Sequence, residues 1–375
     1  MRGNYWPTAG EELLLKAALL PGETGLAAWR RVEVTVDLER LEPASRALLP
    51  LVYGNLAAIG VTTPRGGPLK AEYVAAWRRN QRLLHRVRPV LGALEQAAIP
   101  AIVLKGLALV ARYYRDLALR PMWDADVLVP GPMVERASEV LRGLGWESGH
   151  LLTPGFLRVK HAAGFGDRSG FQCDLHWRVF EEPGPDIADD ELRAAATPVL
   201  FEGATFRILA PTDQLLHVCG HAARWAPVPG IRWVADAALI IRDGPIDWNR
   251  LTEQTVRRQF VLRMREMLYY LRDAMKIEIP SAVLTGLAAR PVSTLERLEY
   301  RIRSREHRLL GEFPAYVFNC FRGERRPLLA LPRYLQHAWG LESLKQVPPH
   351  LARRAVRRVR MALGPWPGGK PDGGS

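Results

Sequence analysis

Cysteine, lysine and long apolar runs are all scarce in this 375-residue chain. The three cysteines, Cys173, Cys219 and Cys320, are an odd number at wide spacings, which gives neither a disulfide framework nor a zinc-ligand pattern. No apolar run approaches the roughly 20 residues that span a bilayer. The N-terminal stretch MRGNYWPTAGEELLLK lacks the apolar segment of a secretory leader. No membrane span and a cytoplasmic location are therefore expected. Lysine supplies only seven of the 52 basic side chains, so a lysine at a special position stands out.

Hydrophobic residues make up 48% and charged residues 24%, the balance of a globular protein with a sizeable core. The length suggests two or three structural units. The net charge of +13 is uneven: residues 301–363 hold 14 Lys or Arg against 4 Asp or Glu, a surplus of 10. Such a region is either a solvated basic face or a patch for an acidic partner, nucleic acid included. Its last helix, HLARRAVRRVRMALG, sets Ala352, Ala355, Val356, Val359 and Leu363 opposite five arginines.

Residues 1–97 read as a helical region, with apolar positions three and four apart in GEELLLKAALL and ASRALLPLVYGNLAAIG. TTPRGGP at 62–68 reads as a loop. The long segment after it carries a stripe through Val74, Trp77, Leu84, Val87, Val90 and Leu94, with Pro89 as a point of kinking. From residue 98 to 210 the pattern becomes α/β. IPAIVLKG and MWDADVLV read as strands around the helix LALVARYYRD, and MVERASEVLRGLGW as a helix closing at Gly143 or Gly145. FLRVKHAAGF and FQCDLHWRVF read as two strands joined by GDRSG. Residues 211–363 return to helix, and the tail 364–375 has the composition of a disordered segment.

The stretch RPMWDADVLVP interrupts an apolar run with two carboxylates. Alternate side chains of a strand share a face, so Asp124, Asp126 and Leu128 point one way and Trp123, Ala125, Val127 and Val129 the other. Neighbouring carboxylates repel and raise each other's pKa unless a cation sits between them. Mg²⁺ suits such a place, because it takes one or two protein carboxylates plus water and phosphate oxygens. FQCDLHWRVF alternates in the same way, with Gln172, Asp174, His176 and Arg178 on its polar face. Asp174 on a neighbouring strand would complete a set of three carboxylates able to hold two metal ions. Each of these acids also has a plain reading as a solvated surface group. Upstream, Lys105 and Gly106 stand where a strand turns into a helix, a place suited to phosphate. Arg120, at the entry to the Asp strand, either holds a phosphate or caps a surface.

Taken together, VLKGLALVARYYRDLALRPMWDADVLV, FQCDLHWRV and LLHVCGHAARW…IRWVADAALII…DWNRL resemble the uncharacterised nucleotidyltransferase family over roughly residues 10–260. The resemblance implies an α+β fold: the minimal nucleotidyltransferase mixed sheet of the polymerase-β superfamily, flanked here by N- and C-terminal helical regions. It implies metal carboxylates at Asp124, Asp126 and Asp174. Lys105 and Gly106 depart from the Gly-Ser usual in the superfamily's phosphate turn, and Ala125 stands where the family commonly has a branched aliphatic residue.

The expected function is transfer of an NMP group from an NTP to an acceptor hydroxyl or phosphate, with two Mg²⁺ ions (Mn²⁺ as substitute). Asp124, Asp126 and Asp174 act at the metals, and Lys105, Gly106 and Arg120 at the nucleotide phosphates. The acceptor, whether small molecule, peptide or RNA, is not legible. Two alternatives stay open. One is a catalytically silent adaptor binding protein or RNA through the basic region 301–363; the other is an Asp-x-Asp glycosyltransferase, which the helical first 97 residues disfavour. His176 reads as an orienting partner of Asp174, a general base or a half-buried strand histidine. His217 and His221, four apart on one helix face with Asp236 beyond, read as structural or pocket-lining residues rather than zinc ligands. Trp225, Trp233 and Trp248 read as core.

Overall fold

The computed structural model describes residues 5–61, 65–182, 186–222, 230–303, 316–318 and 331–363, and for residues 186–188 and 357–363 the backbone alone. Cys320, Trp225, the tail 364–375 and much of the basic region 301–363 lie outside the described side chains.

The chain opens with helices. Thr8 starts the first, Ala9–Leu19, through a capping box in which its hydroxyl accepts from the Glu11 amide while the Glu11 carboxylate accepts from the Thr8 amide. Helices Gly22–Thr35 and Leu49–Ala58 pack on it and bury Trp29, Val32 and Val52. The 31-residue helix Gly66–Gln96 then runs on through Pro89 and starts inside the stretch expected to be a loop. Its buried stripe is Leu69, Ala76, Asn80, Leu83, Leu84, Val87, Val90 and Leu94; Trp77, expected within the stripe, lies one position off it and is exposed.

Six strands form one mixed sheet: β1 Ile102–Leu104, β2 Asp124–Leu128, β3 Ala162–Gly166, β4 Gln172–His176, β5 Thr197–Phe201 and β6 Ala204–Ile208, in the order β3-β4-β2-β1-β6-β5. β1 runs antiparallel to β2 and parallel to β6, while β2 and β4 are parallel. The hairpin β5–β6 was not separated from its surroundings in the sequence reading. FLRVKHAAGF is a strand only in its second half. Its first half is the helix Pro154–Val159, because Thr153 caps the Phe156 amide and Pro154 takes the first helical position.

The two faces of the sheet separate as alternation requires. Val127, Cys173, Leu175 and Trp177 bury against the helix Val134–Gly143 and the end of the long helix. Trp123 precedes β2 and does not join that face; it is about half exposed. Ile102, Leu104 and Leu128 on the opposite face join a larger cluster with Leu215, Leu216 and Trp233 of the helices Pro211–Ala222 and Arg232–Asp243. That cluster unites residues from all three stretches of chain, and its two C-terminal helices close over the polar side of the sheet. Among the described residues no helix is long and apolar enough to cross a membrane.

Candidate functional site

The parallel register of β2 and β4 sets Asp126 opposite Asp174 and Leu128 opposite His176. One polar face therefore carries Asp124, Asp126, Asp174 and His176 on adjacent strands. Asp126 is its centre and is fully buried. Lys105 Nζ donates to Asp126 Oδ1 at 2.5 Å, and His176 Nε2 lies 2.9 Å from the same oxygen. A carboxylate only accepts, so Nε2 carries the proton, and Nδ1 is buried with no hydrogen-bond partner among the described residues. His176 thus leans on Asp126, not on Asp174 as one of its three readings from sequence had it, because its side chain reaches diagonally across the pair of strands.

Charge separates the three acids. Burial alone would push the Asp126 carboxyl up, but the Lys105 ammonium and the His176 hydrogen bond together hold it well below the usual carboxylate range. Asp124 and Asp174 are both raised, by burial first and then by the negative charge on Asp126. One deep ionised carboxylate is thus flanked by two that hold their protons more tightly than usual.

Asp126, Asp174 and His176 can each offer one ligand atom, and these atoms lie within 4.8 Å of one another. Asp124 is not part of that group but stands one pleat along the same face and lines the adjoining cavity. Two carboxylates and the imidazole of His176 fit a hard divalent cation, and the nitrogen widens the choice from Mg²⁺ towards Mn²⁺.

The turn into the helix Lys105–Leu109 is strained at Lys105, whose φ of 47° lies in the left-handed region. A non-glycine residue held there costs on the order of 1–3 kcal/mol and persists where its surroundings over-determine it. The strain aims the ammonium at Asp126. Gly106 follows because a Cβ there would come within 3.0 Å of Arg120 Nη1 and of Met122 Sδ.

Arg120 is buried, and its charge is already engaged. Nε and Nη2 donate to the two oxygens of Asp236 at 2.8 and 3.0 Å, and the Tyr114 hydroxyl donates to Asp236 as well. Arg232 was missed by the sequence reading although it lies in the quoted stretch IRWVADAALII. It donates to the Pro121 carbonyl and lies over the ring of Trp123, and no carboxylate among the described residues pairs with it. Withdrawal from water, with Arg120 close by, lowers its pKa to about 10, so it remains a cation in neutral solution. Asn80, also unassigned from sequence, is fully buried in the long helix. Its amide nitrogen donates to the Leu117 and Arg120 carbonyls and its oxygen accepts from the Met122 amide, which secures the turn leading to Asp124.

These groups surround a cavity of about 170 Å³ between the sheet and the C-terminal helices. Lys105, Gly106, Arg120, Asp124 and Asp126 form its sheet side; His217, His221, Arg232, Trp233 and Asp236 form its helical side. His217 and His221 face each other with ring centroids 5.9 Å apart but belong to no metal-ligand group among the described residues. Trp233 is core, as expected, and Trp248 packs against it only partly buried.

No curated protein matches the chain. Among solved structures, the lincosamide antibiotic adenylyltransferase LnuA in its lincomycin-bound form is similar at 11% identity, covering 42% of this chain and 94% of that one with a TM-score of 0.31. The antibiotic-resistance factor ANT(2'')-Ia is similar at 15% identity, covering 52% of this chain and 92% of that one, also at a TM-score of 0.31. Likeness at that level carries no argument about this chain. The family comparison does: the model described as uncharacterised nucleotidyltransferase matches residues 44–276, well over half of the sequence. Those residues include the carboxylates of β2 and β4, the Lys105 turn and the helical wall of the cavity, and the chain belongs to the uncharacterised nucleotidyltransferase family.

Proposed function

We propose that the protein transfers a nucleoside monophosphate from an NTP to an acceptor group within the cavity between β2 and the helices Pro211–Ala222 and Arg232–Asp243. The observation that carries this reading is the β2–β4 register, which sets Asp174 beside Asp126, itself on the wall of a cavity whose Arg232 guanidinium pairs with no carboxylate among the described residues. Asp124, Asp126 and Asp174, with the His176 ring close by, would hold two Mg²⁺ ions, or Mn²⁺ in their place. Bound there, the ions would neutralise phosphate charge and favour departure of pyrophosphate.

The remaining work falls to the chain's own residues. The Gly106 turn faces the triphosphate, Lys105 reaches it only by releasing Asp126, and Arg232 adds a cation that no carboxylate among the described residues pairs with. Arg120 backs this wall through Asp236 and so acts on phosphate less directly than its position in the sequence suggests. Asp174, raised by burial and by Asp126, is suited to accept the proton of the acceptor as its oxygen bonds to the α-phosphorus. The bond from that phosphorus to the bridging oxygen breaks, and pyrophosphate leaves with the electron pair. Catalysis is then mostly positioning and charge compensation.

Calorimetry with the four NTPs, each with and without Mg²⁺, tests the reading on the full chain. Metal-dependent binding of one or more NTPs is expected, with its loss in the Asp124→Asn/Asp126→Asn variant. Equal binding by both proteins, or none by either, would favour the silent-adaptor alternative.

A further inference from the structure

The cavity contains one side chain that the proposed transfer leaves unused. His217 is 1% exposed, yet neither Nδ1 nor Nε2 has a hydrogen-bond partner among the described residues. Its ring stands edge-on to Phe180, with centroids 5.6 Å apart, and borders the cavity that also holds Lys105 and Asp126. A buried polar group without a partner costs free energy that folding does not recover. One such nitrogen is unremarkable, whereas a ring with both nitrogens unpaired on a cavity wall is arranged for something that enters.

Resting on the proposed transfer and narrowing it, we infer that His217 binds the acceptor, and that the acceptor offers an alcohol hydroxyl rather than a phosphate. Burial first, then the Lys105 ammonium nearby, pushes the imidazole down to about 3. A neutral imidazole presents one N–H donor and one bare nitrogen acceptor. An alcohol suits it, since its O–H donates to the bare nitrogen and its oxygen remains directed to the phosphorus. A phosphate monoester dianion brings only acceptor oxygens, so it can take the imidazole N–H but leaves the bare nitrogen unpaired. A cation in place of His217 would have suited phosphate; the fold instead supplies a group it keeps uncharged. His217 does not take the proton, because so weak a base holds one poorly. It is a positioning residue for the acceptor, and the proton passes to Asp174.

The test uses the full chain with ¹⁵N-labelled histidine rings, saturated with Mg²⁺ and a non-hydrolysable NTP analogue. The His217 ring signals are identified by their disappearance in H217Q. Matched probes are then titrated: methanol against methyl phosphate, and ethanol against ethyl phosphate, so that the ester keeps no alcohol hydroxyl. The alcohols should move the His217 nitrogens, and the phosphate esters should move them less than their parent alcohols. Alcohols that leave His217 unmoved at the highest concentration the fold tolerates, or phosphate esters that move it more, overturn the assignment. Failure of the NTP analogue to bind in the first step removes the proposed transfer and this inference together; nucleotide binding with an unresponsive His217 removes the inference alone. In parallel, pyrophosphate release is followed with glycerol as acceptor. H217Q, which keeps a donor and an acceptor, should hold the glycerol half-saturation within a few-fold, while H217L should raise it at least tenfold with the NTP half-saturation unchanged. An equal rise in both half-saturations would mark His217 as structural only.

Discussion

Replacing Asp236 by asparagine should be among the most damaging single changes in the molecule, although Asp236 lies on a helix about 110 residues after the strand it supports. In the wild type its two oxygens take the bidentate fork of Arg120 and the Tyr114 hydroxyl, with both charged partners over 90% buried. Burial would lower the Arg120 pKa, but Asp236 more than offsets it, so the guanidinium stays charged under all ordinary conditions. Asp236→Asn therefore leaves a buried cation without its counter-charge. Removing one member of such a pair costs about 3–5 kcal/mol, and the surviving amide oxygen places this case near the lower end. Against a total stability on the order of 5–15 kcal/mol, that is a large fraction. Urea unfolding of the full chain should show a lower midpoint with an unchanged slope. The double variant Arg120→Met/Asp236→Leu, which removes both charges, should recover more than half of the loss. A loss under about 1 kcal/mol in the single variant, or no recovery in the double, would refute the view that this pair binds the helical wall to the sheet by charge.

Four further outcomes follow from the same structure. Asn80→Ala leaves two carbonyls and an amide unpaired in the core and should cost about 2–4 kcal/mol by chemical denaturation, more than an exposed asparagine by an order of magnitude. His217 is neutral when folded, with a pKa of about 3 against 6.5 for the free side chain, so the unfolded chain binds the extra proton. Stability from this residue is complete above pH 6.5 and falls with acidification towards pH 3 by up to about 1.4 kcal/mol per unit, and His217→Gln should flatten that limb of the pH–stability profile. Arg232→Met should weaken NTP binding at least tenfold with little effect on the urea midpoint, as measured by calorimetry on both proteins. Mg²⁺ affinity should fall on acidification below neutrality, since Asp124 and Asp174 hold protons more tightly than ordinary aspartates and the ion must displace them; affinity independent of pH would remove them as ligands.

The faces of β2 and β4 were legible because a two-residue period shows directly in DADVL and QCDLH, and both strands bury one face and work with the other. The adjacency of Asp126 and Asp174 was not, since 43 residues with two helices and β3 separate the strands and only the tertiary pairing sets their register. Trp123 misled for a local reason: alternation assigned it to the core, but the strand begins one residue later. His176 and Arg120 were noticed as chemistry-bearing residues, yet their partners, Asp126 and Asp236, come from other elements that no spacing rule connects. Arg232 and Asn80 escaped because an arginine in an arginine-rich chain and an asparagine in a helix carry no periodic signal; what distinguishes them is a half-buried place without a charge partner among the described residues in one case and three backbone bonds in the other. The N-cap at Thr153 was a signal in plain sight, overridden by the β-like composition of the residues after it.

The helix Gly66–Gln96 has a consequence that reaches beyond stability. At 1.5 Å per residue it is about 46 Å long, and two of its many contacts frame the site: Asn80 grips the turn before β2, and Val90 and Leu94 lie under the sheet. Both points depend on rotational phase. Inserting or deleting one residue between them turns one end by about 100° relative to the other, which would take Asn80 off the turn or swing the aliphatic end away from the strands. Between Asn80 and Val90 the chain can vary in identity but not in number, so gaps among related sequences should avoid this interval and gather instead in the turns at either end.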